Sequence, residues 1–261
     1  MSYEDQAILM ADRVVSPSAA LVREIRTHLP RLGPVDVLPN VADPSFLEID
    51  VGPTAPAEEV LYVGRLERRK GVETLIRAAP AFLDACPDAT LHLVGGDTTV
   101  GPAVPSMKAR LVDLLPKAYA RRVVFQGAVP RTDLVKRYMT ARICVFPSLF
   151  ENFPNTCLEA MSLGRPVIGT DNSGMAEMIE DGVSGRIVRA GDADGLAAAM
   201  IDLYQRPEVE RRAMGEAARR RIIDAYHPDV IAPRMETLYA SDLPADRRDA
   251  AARPVPKAAW T

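Results

Sequence analysis

The sequence is poor in the residues that staple or metallate a small protein. Only three cysteines occur in 261 residues, Cys86, Cys144 and Cys157, and none stands in a CxxC pair. A disulfide framework is therefore not expected, and apolar or helical flanks make these buried free thiols of a reducing compartment. The three histidines, His28, His92 and His227, lack ligand spacing, so no metal is expected. No apolar run approaches the ~18–20 residues of a spanning helix. The opening MSYEDQAILM is too acidic for a signal peptide, and the expected location is the cytoplasm. Net charge is −3, with acids and bases nearly balanced, which argues against a nucleic-acid partner of the basic type. No GxGxxG occurs, so the dinucleotide fingerprint is absent, and no repeat appears at solenoid periods.

What is there is a regular alternation. From residue 59 onward, EVLYVGRL, TLHLVGG, VVFQGAV, ICVFPSL, PVIGT and GRIVRA read as short buried strands. Between and after them VETLIRAAPAFLDAC, SMKARLVDLLPKAYA, DLVKRYMTA, NTCLEAMSLG, GMAEMIEDG and DGLAAAMIDLYQ carry apolar residues at helical spacing. Strands apolar on both faces, separated by helices, predict a parallel sheet covered on both sides. The fold class is α/β, a Rossmann-like doubly wound domain of about six strands, assigned to 35–240. EVERRAMGEAARRRIIDAY and PDVIAPRMETLYASDL predict two further helices, and 241–261 reads as a mobile tail. ADRVVSPSAALVREIRTHL, within 1–34, predicts a lone strand and helix, the remnant of another domain. Its strand has no obvious partner edge, and is expected to be loose, packed on the main domain, or paired between chains.

Ligands of open parallel sheets bind outside the carboxyl ends of the strands. At the first such end, VGRLERRKG, Gly64 allows a close turn, and Arg65 and Lys70 would project into the crevice as a cation pair suited to a diphosphate. A solvated basic turn accounts for this stretch equally well, and Arg68 and Arg69 are assigned to that role. In FENFPNTCLEAM, Glu151 leaves the same edge, and Pro154 predicts a helix start there. The free amides of that start would face the crevice and could hold an anion. Glu159 lies about one turn in, where a carboxylate could take a vicinal diol. The rival reading is a capping box, Thr156-x-x-Glu159. Two cations, a helix N-terminus and two carboxylates in one crevice suit a sugar nucleotide.

GRLERRKG, together with GAVPRTDLVKRYMTARICVFPSLFENFPNTCLEAMSLGRPVIGTDNSGMAEMIEDGVSGRIV, resembles the C-terminal donor domain of retaining GT-B glycosyltransferases of family four. The likeness covers about 35–240, and ADRVVSPSAALVREI is similar to the last N-terminal-domain segment of that family. The family includes many cell-envelope and polysaccharide enzymes. The resemblance implies transfer of a sugar from a nucleoside diphosphate sugar to an acceptor hydroxyl with retention, without a metal or other cofactor. Arg65 and Lys70 would neutralise the diphosphate, with Glu151 on the donor sugar and Glu159 on the ribose. Gly64, Phe153, Pro154, Asn155 and Thr156 would lie near sugar and phosphate, and Gly127, Ala128 and Val129 would border the nucleobase. Asn155 could add a side-chain contact to the sugar. Glu177 matches a recurring glutamate and is expected to bond a helix terminus locally. The acceptor half is expected on a further domain or partner subunit, and peripheral membrane contact stays open. The alternatives are a non-catalytic nucleotide-sugar-binding module or subunit of a split enzyme, and a sugar-nucleotide epimerase.

Overall fold

The computed structural model describes residues 2–52, 58–99 and 106–242, so the expected tail lies outside the described residues from 243 onward. The chain begins with α1 (Tyr3–Met10), β1 (Val14–Ser16), α2 (Ala19–His28), β2 (Val35–Val37) and α3 (Pro44–Leu47). Five strand-helix units follow: β3 (Glu59–Val63) with α4 (Val72–Ala85), β4 (Thr90–Val94) with α5 (Met107–Leu114), β5 (Val123–Gln126) with α6 (Arg131–Thr140), β6 (Ile143–Val145) with α7 (Asn155–Ser162), and β7 (Val167–Thr170) with α8 (Met175–Met178). The chain closes with β8 (Arg186–Val188), α9 (Ala193–Gln205), α10 (Glu208–Tyr226) and α11 (Pro228–Asp242).

The main sheet runs β5-β4-β3-β6-β7-β8, with every pair parallel. Chain order reverses between β3 and β6, and in such sheets a crevice opens at that reversal, outside the carboxyl ends of the two strands. Both faces are covered. Leu75, Ile76 and Phe82 of α4 pack with Leu196, Met200 and Leu203 of α9 in one core layer. Tyr138 of α6, Leu158 and Met161 of α7 and Ile222 of α10 fill the other. Each fully buried large side chain contributes roughly 1.5–3 kcal/mol by leaving water, so the frame holding the crevice is stiff. Cys86, Cys144 and Cys157 are buried free thiols as expected. Burial pushes the Cys144 thiol up to about 12. Among the described residues no helix is long and apolar enough to cross a membrane.

Several elements depart from the sequence expectation. The helix expected over SMKARLVDLLPKAYA stops at Leu114, and a 3₁₀ turn at Lys117–Tyr119 follows Pro116, which has no amide hydrogen to continue it. The helix in GMAEMIEDG is a single turn. β1 is neither loose nor without an edge: it pairs in parallel with β2, which was read as part of the main domain. Three-residue strands leave no alternation by which such a pairing could be read.

This two-stranded unit is fastened to the main sheet at named points. The Glu177 carboxylate accepts from the amides of Ala19 (3.2 Å) and Ala20 (2.9 Å), at the start of α2. It does bond a helix terminus, as expected, but one distant in the chain rather than local. Its backbone carbonyl accepts from Arg221 and from the Tyr226 hydroxyl. α11 returns across the unit, with Arg13 donating to Leu238 O and Ser241 Oγ, and Arg234 donating to Val37 O. Where the chain enters and leaves the main domain, Ala42 N donates to Tyr226 O at 2.9 Å.

Removing the Glu177 carboxylate leaves two first-turn amides of α2 without their acceptor, at a cost of about 0.5–2 kcal/mol. Glu177→Ala should lower hydrogen-exchange protection in β1 and α2 by about tenfold while β3, β4 and β6 keep theirs. Uniform loss across both units would show that the contact is not a local fastening.

Candidate functional site

The site begins with backbone geometry. After β3 the chain makes a 3₁₀ turn over Arg68–Lys70 and is stopped by Gly71 in a left-handed conformation (φ 68°). A Cβ on Gly71 would meet the Pro147 carbonyl oxygen at 1.7 Å, so only glycine lets this turn lie against the exit of β6. Leu149 N donates to Arg69 O at 2.8 Å and closes the seam. Two strand ends distant in sequence are thereby held edge to edge at the reversal of the sheet.

Charged side chains follow from that seam. Glu151 is 10% exposed, and both its oxygens are taken. Lys70 Nζ donates to Oε2, and Arg69 donates to Oε1 at 2.9 Å. Arg69 also reaches Glu67 Oε1 at 2.9 Å, and Glu67 Oε2 meets Arg65 at 3.1 Å. Arg65, Glu67, Arg69, Glu151 and Lys70 thus form one row of alternating charge. Arg65, Lys70 and Glu151 come together as the sequence predicts, but Arg65 does so only through Glu67 and Arg69. Arg65 is 65% exposed. The assignment to a solvated turn holds for Arg68, which is 68% exposed and 3.7 Å from Glu73, and needs correction for Arg69, which faces Glu151. Three consecutive cations offer no sign of which one turns inward, because that depends on the phase of the 3₁₀ turn.

α7 starts one residue later than Pro154, which is its N-cap and has no side-chain acceptor. The Thr156-x-x-Glu159 capping box is absent. Asn155 and Thr156 are the first two helical residues, and among the described residues their amides have no acceptor. Phe153 is buried against Tyr226, with ring centroids 5.4 Å apart. Asn40, which no motif singled out, donates through Nδ2 to Phe153 O and to Asn155 Oδ1, each at 3.0 Å. The first contact fixes which end of the Asn40 amide faces α7. The Asn155 amide must then turn its own Nδ2 away from Asn40.

Glu159 stands apart from the charged row. Its Oε2 lies 3.1 Å from the Tyr138 hydroxyl, whose single proton it shares with Thr156 O at 3.2 Å. Burial raises the Glu159 carboxyl above the usual range, and the Tyr138 bond and the charge of Arg131 offset this only in part. Burial and the neighbouring Glu159 push the Tyr138 phenol well up. At the end of β5, Gly127 and Ala128 are exposed and Val129 is half-buried. Beside them Gln126 Oε1 is buried with no hydrogen-bond partner among the described residues, a leftover acceptor that composition does not reveal. Gly64 donates to Val94 O at 2.9 Å, linking the ends of β3 and β4. A hollow of about 520 Å³ adjoins Asn155 and Asn40 and is otherwise lined by β1, the segment after β2, and α11. Another, of about 560 Å³, lies at Ala141, Arg142, Arg165 and Pro166, beside the opposite ends of β6 and β7. Neither of these two hollows is lined by Arg65, Lys70 or Glu151.

The family described as Glycosyl transferases group 1 matches residues 57–206. A D-inositol 3-phosphate glycosyltransferase of Nocardiopsis dassonvillei is 31% identical over 220 residues, which are 78% of this chain and 50% of that protein. The chain spans about half the length of this relative. Sucrose-phosphate synthase from Thermosynechococcus elongatus superposes with a TM-score of 0.75 at 29% identity, over 91% of this chain and 60% of that one. Anabaena Alr3699/HepE, solved with UDP and glucose, superposes with a TM-score of 0.73 over 90% of this chain and 65% of its own. At 19% identity it shows likeness of fold alone.

The raised Glu159 carboxyl has a measurable consequence. A folded-state value above the unfolded one means that the ionised form costs stability once pH exceeds the ordinary carboxylate range. Glu159→Gln keeps an acceptor for Tyr138 and removes that cost. It should raise Tm at pH 7.5, by about 2–4 °C for each kcal/mol relieved. The gain should shrink as pH falls through the value of Glu159 towards 4. A variant less stable than wild type at both pH values would show that burial is not what strains this carboxylate.

Proposed function

Since the chain belongs to the Glycosyl transferases group 1, we propose that it holds a nucleoside diphosphate sugar along the carboxyl edge between β3 and β6. The reaction is transfer of the sugar to an acceptor hydroxyl with retention of anomeric configuration. The observation that carries this reading is the row of charge ending in Lys70 on Glu151, set beside the open first turn of α7. The acceptor is bound by a further domain or partner subunit adjoining the β1–β2 unit.

The chemistry follows from where charge develops. As the bond between the anomeric carbon and the diphosphate oxygen breaks, the electron pair leaves with the diphosphate. Fixed positive groups beside that oxygen lower the barrier without reorganising. Arg65 and Lys70 supply two of them, and the amides of Asn155 and Thr156 with the dipole of α7 supply a third. One close cation-oxyanion pair contributes roughly 4 kcal/mol at an effective dielectric of about 20, before desolvation. A metal ion has no necessary part in this scheme. Glu151 accepts from donor-sugar hydroxyls, and the free side of Asn155 donates to the same sugar. Glu159 takes the ribose diol through Oε1, which has no partner among the described residues. Gly64 lets the backbone lie close to the phosphates, Phe153 and Pro154 shape the floor under the sugar, and Gly127 to Val129 border the base. The protein works in the cytoplasm, where its donors are made.

The direct test is a thermal-shift and calorimetric panel of UDP, GDP, ADP and their sugars on this chain. One base should bind, and at a hundred times its Kd it should stabilise the fold by roughly 2.7 kcal/mol. Glu159→Ala and Arg65→Ala should each weaken that nucleotide by about tenfold. In a complete enzyme Arg65→Ala should also slow turnover, by about 100-fold rather than more, because the side chain is largely exposed. No stabilisation by any of the three at millimolar concentration would overturn the reading.

A further inference from the structure

Arg69 has no role assigned above, and its position in the charged row is peculiar. The row begins and ends in a cation, Arg65 at one end and Lys70 at the other. The inner members are Glu67, Arg69 and Glu151, and Arg69 alone among the described residues touches both carboxylates, each at 2.9 Å. It is held on three further sides. Its carbonyl accepts from Leu149 N, its guanidinium also donates to Phe150 O at 3.3 Å, and Gly71 fixes the turn that carries it.

A diphosphate arriving at this edge competes for cations that are already engaged. Both cations have further donors, but a phosphate draws Arg65 away from Glu67 and Lys70 away from Glu151. Each shift weakens a carboxylate's compensation, and Glu151 is nearly buried. A buried carboxylate left alone is costly, so it would pull Lys70 back. The planar fork of a guanidinium can satisfy two carboxylates at once, which an ammonium cannot do with the same geometry.

We propose that Arg69 is a positioning residue that holds Glu67 and Glu151 in compensation while Arg65 and Lys70 pass to the diphosphate. It need not touch the ligand. The inference rests on the donor-binding reading above and deepens it. It assigns the release of the two phosphate-binding cations to a third cation behind them.

The experiment is a double-mutant cycle read by calorimetry with UDP, GDP and ADP on the full chain, using wild type, Arg69→Met, Arg69→Lys, Glu151→Gln and the Arg69→Met/Glu151→Gln double variant. Tm is measured for each in parallel. Arg69→Met should weaken the diphosphate by about tenfold, because Glu151 then keeps Lys70. Arg69→Lys should recover only part of this. In the Glu151→Gln background Arg69→Met should cost only about threefold, since no carboxylate remains there to recapture Lys70 while Glu67 still holds Arg65. A loss that persists undiminished in that background would mean that Arg69 acts on the ligand directly or merely supports the turn, and would overturn the inference. So would an Arg69→Met variant that binds as wild type does. Wild type binding none of the three would instead overturn the donor-binding reading itself, and this inference with it.

Discussion

The carboxylate of Glu151 is the constraint around which this edge is built. It stands at the exit of β6, nearly out of water, where an uncompensated negative charge would cost several kcal/mol. Compensation comes from a different strand end, through Lys70 and Arg69 on the turn after β3. That arrangement needs the two strand ends to lie in contact. The left-handed Gly71 against the Pro147 carbonyl provides the contact. Packing, backbone conformation and electrostatics therefore depend on one another. Parallel strands aim both exits the same way, glycine lets them meet, and the ion pairs hold the side chains in register across the seam.

Opposite this row, α7 contributes donors rather than charges. Pro154 occupies the N-cap without a side-chain acceptor, so the first turn is left open instead of being closed by Thr156 and Glu159. Asn40 keeps that opening in shape from outside the main sheet, by fixing Phe153 O and the Asn155 side chain. The segment after β2 thus helps to shape the start of α7 although it lies outside the six-stranded sheet. A carboxylate spared from capping is available for other work, and Glu159 sits one turn along, held on a single oxygen by Tyr138.

The framework was legible because its signals are local. Apolar runs such as EVLYV and VIGT, bounded by glycine or proline and alternating with amphipathic stretches, lead directly to a parallel sheet, and the sheet places the site. Gly64, Arg65, Lys70, Glu151 and Glu159 could be named because they follow strand ends or a helix start marked by Pro154, and the resemblance then implied their roles. Features that depend on distant contacts were not legible. Arg69 is one of three consecutive cations, and only the phase of the turn selects it. Asn40 acts across more than a hundred residues. The partner of β1 is a strand of three residues, too short to show a face. The capping box failed because the helix begins one residue past Pro154, which shifts Thr156 away from the position a cap requires.

The hydrogen bond from Ala42 to Tyr226 joins the only two places, among the described residues, where the backbone passes between the β1–β2 unit and the main domain. The two crossings are pinned to each other there, and Glu177 at the start of α2 and Asn40 at the start of α7 fasten the same two units at further points. Asn40 is two residues from Ala42 and bonds Phe153 O and Asn155, so a shift of this crossing is carried directly to the first turn of α7. One peptide amide thereby stands at the root of the path that joins the two units.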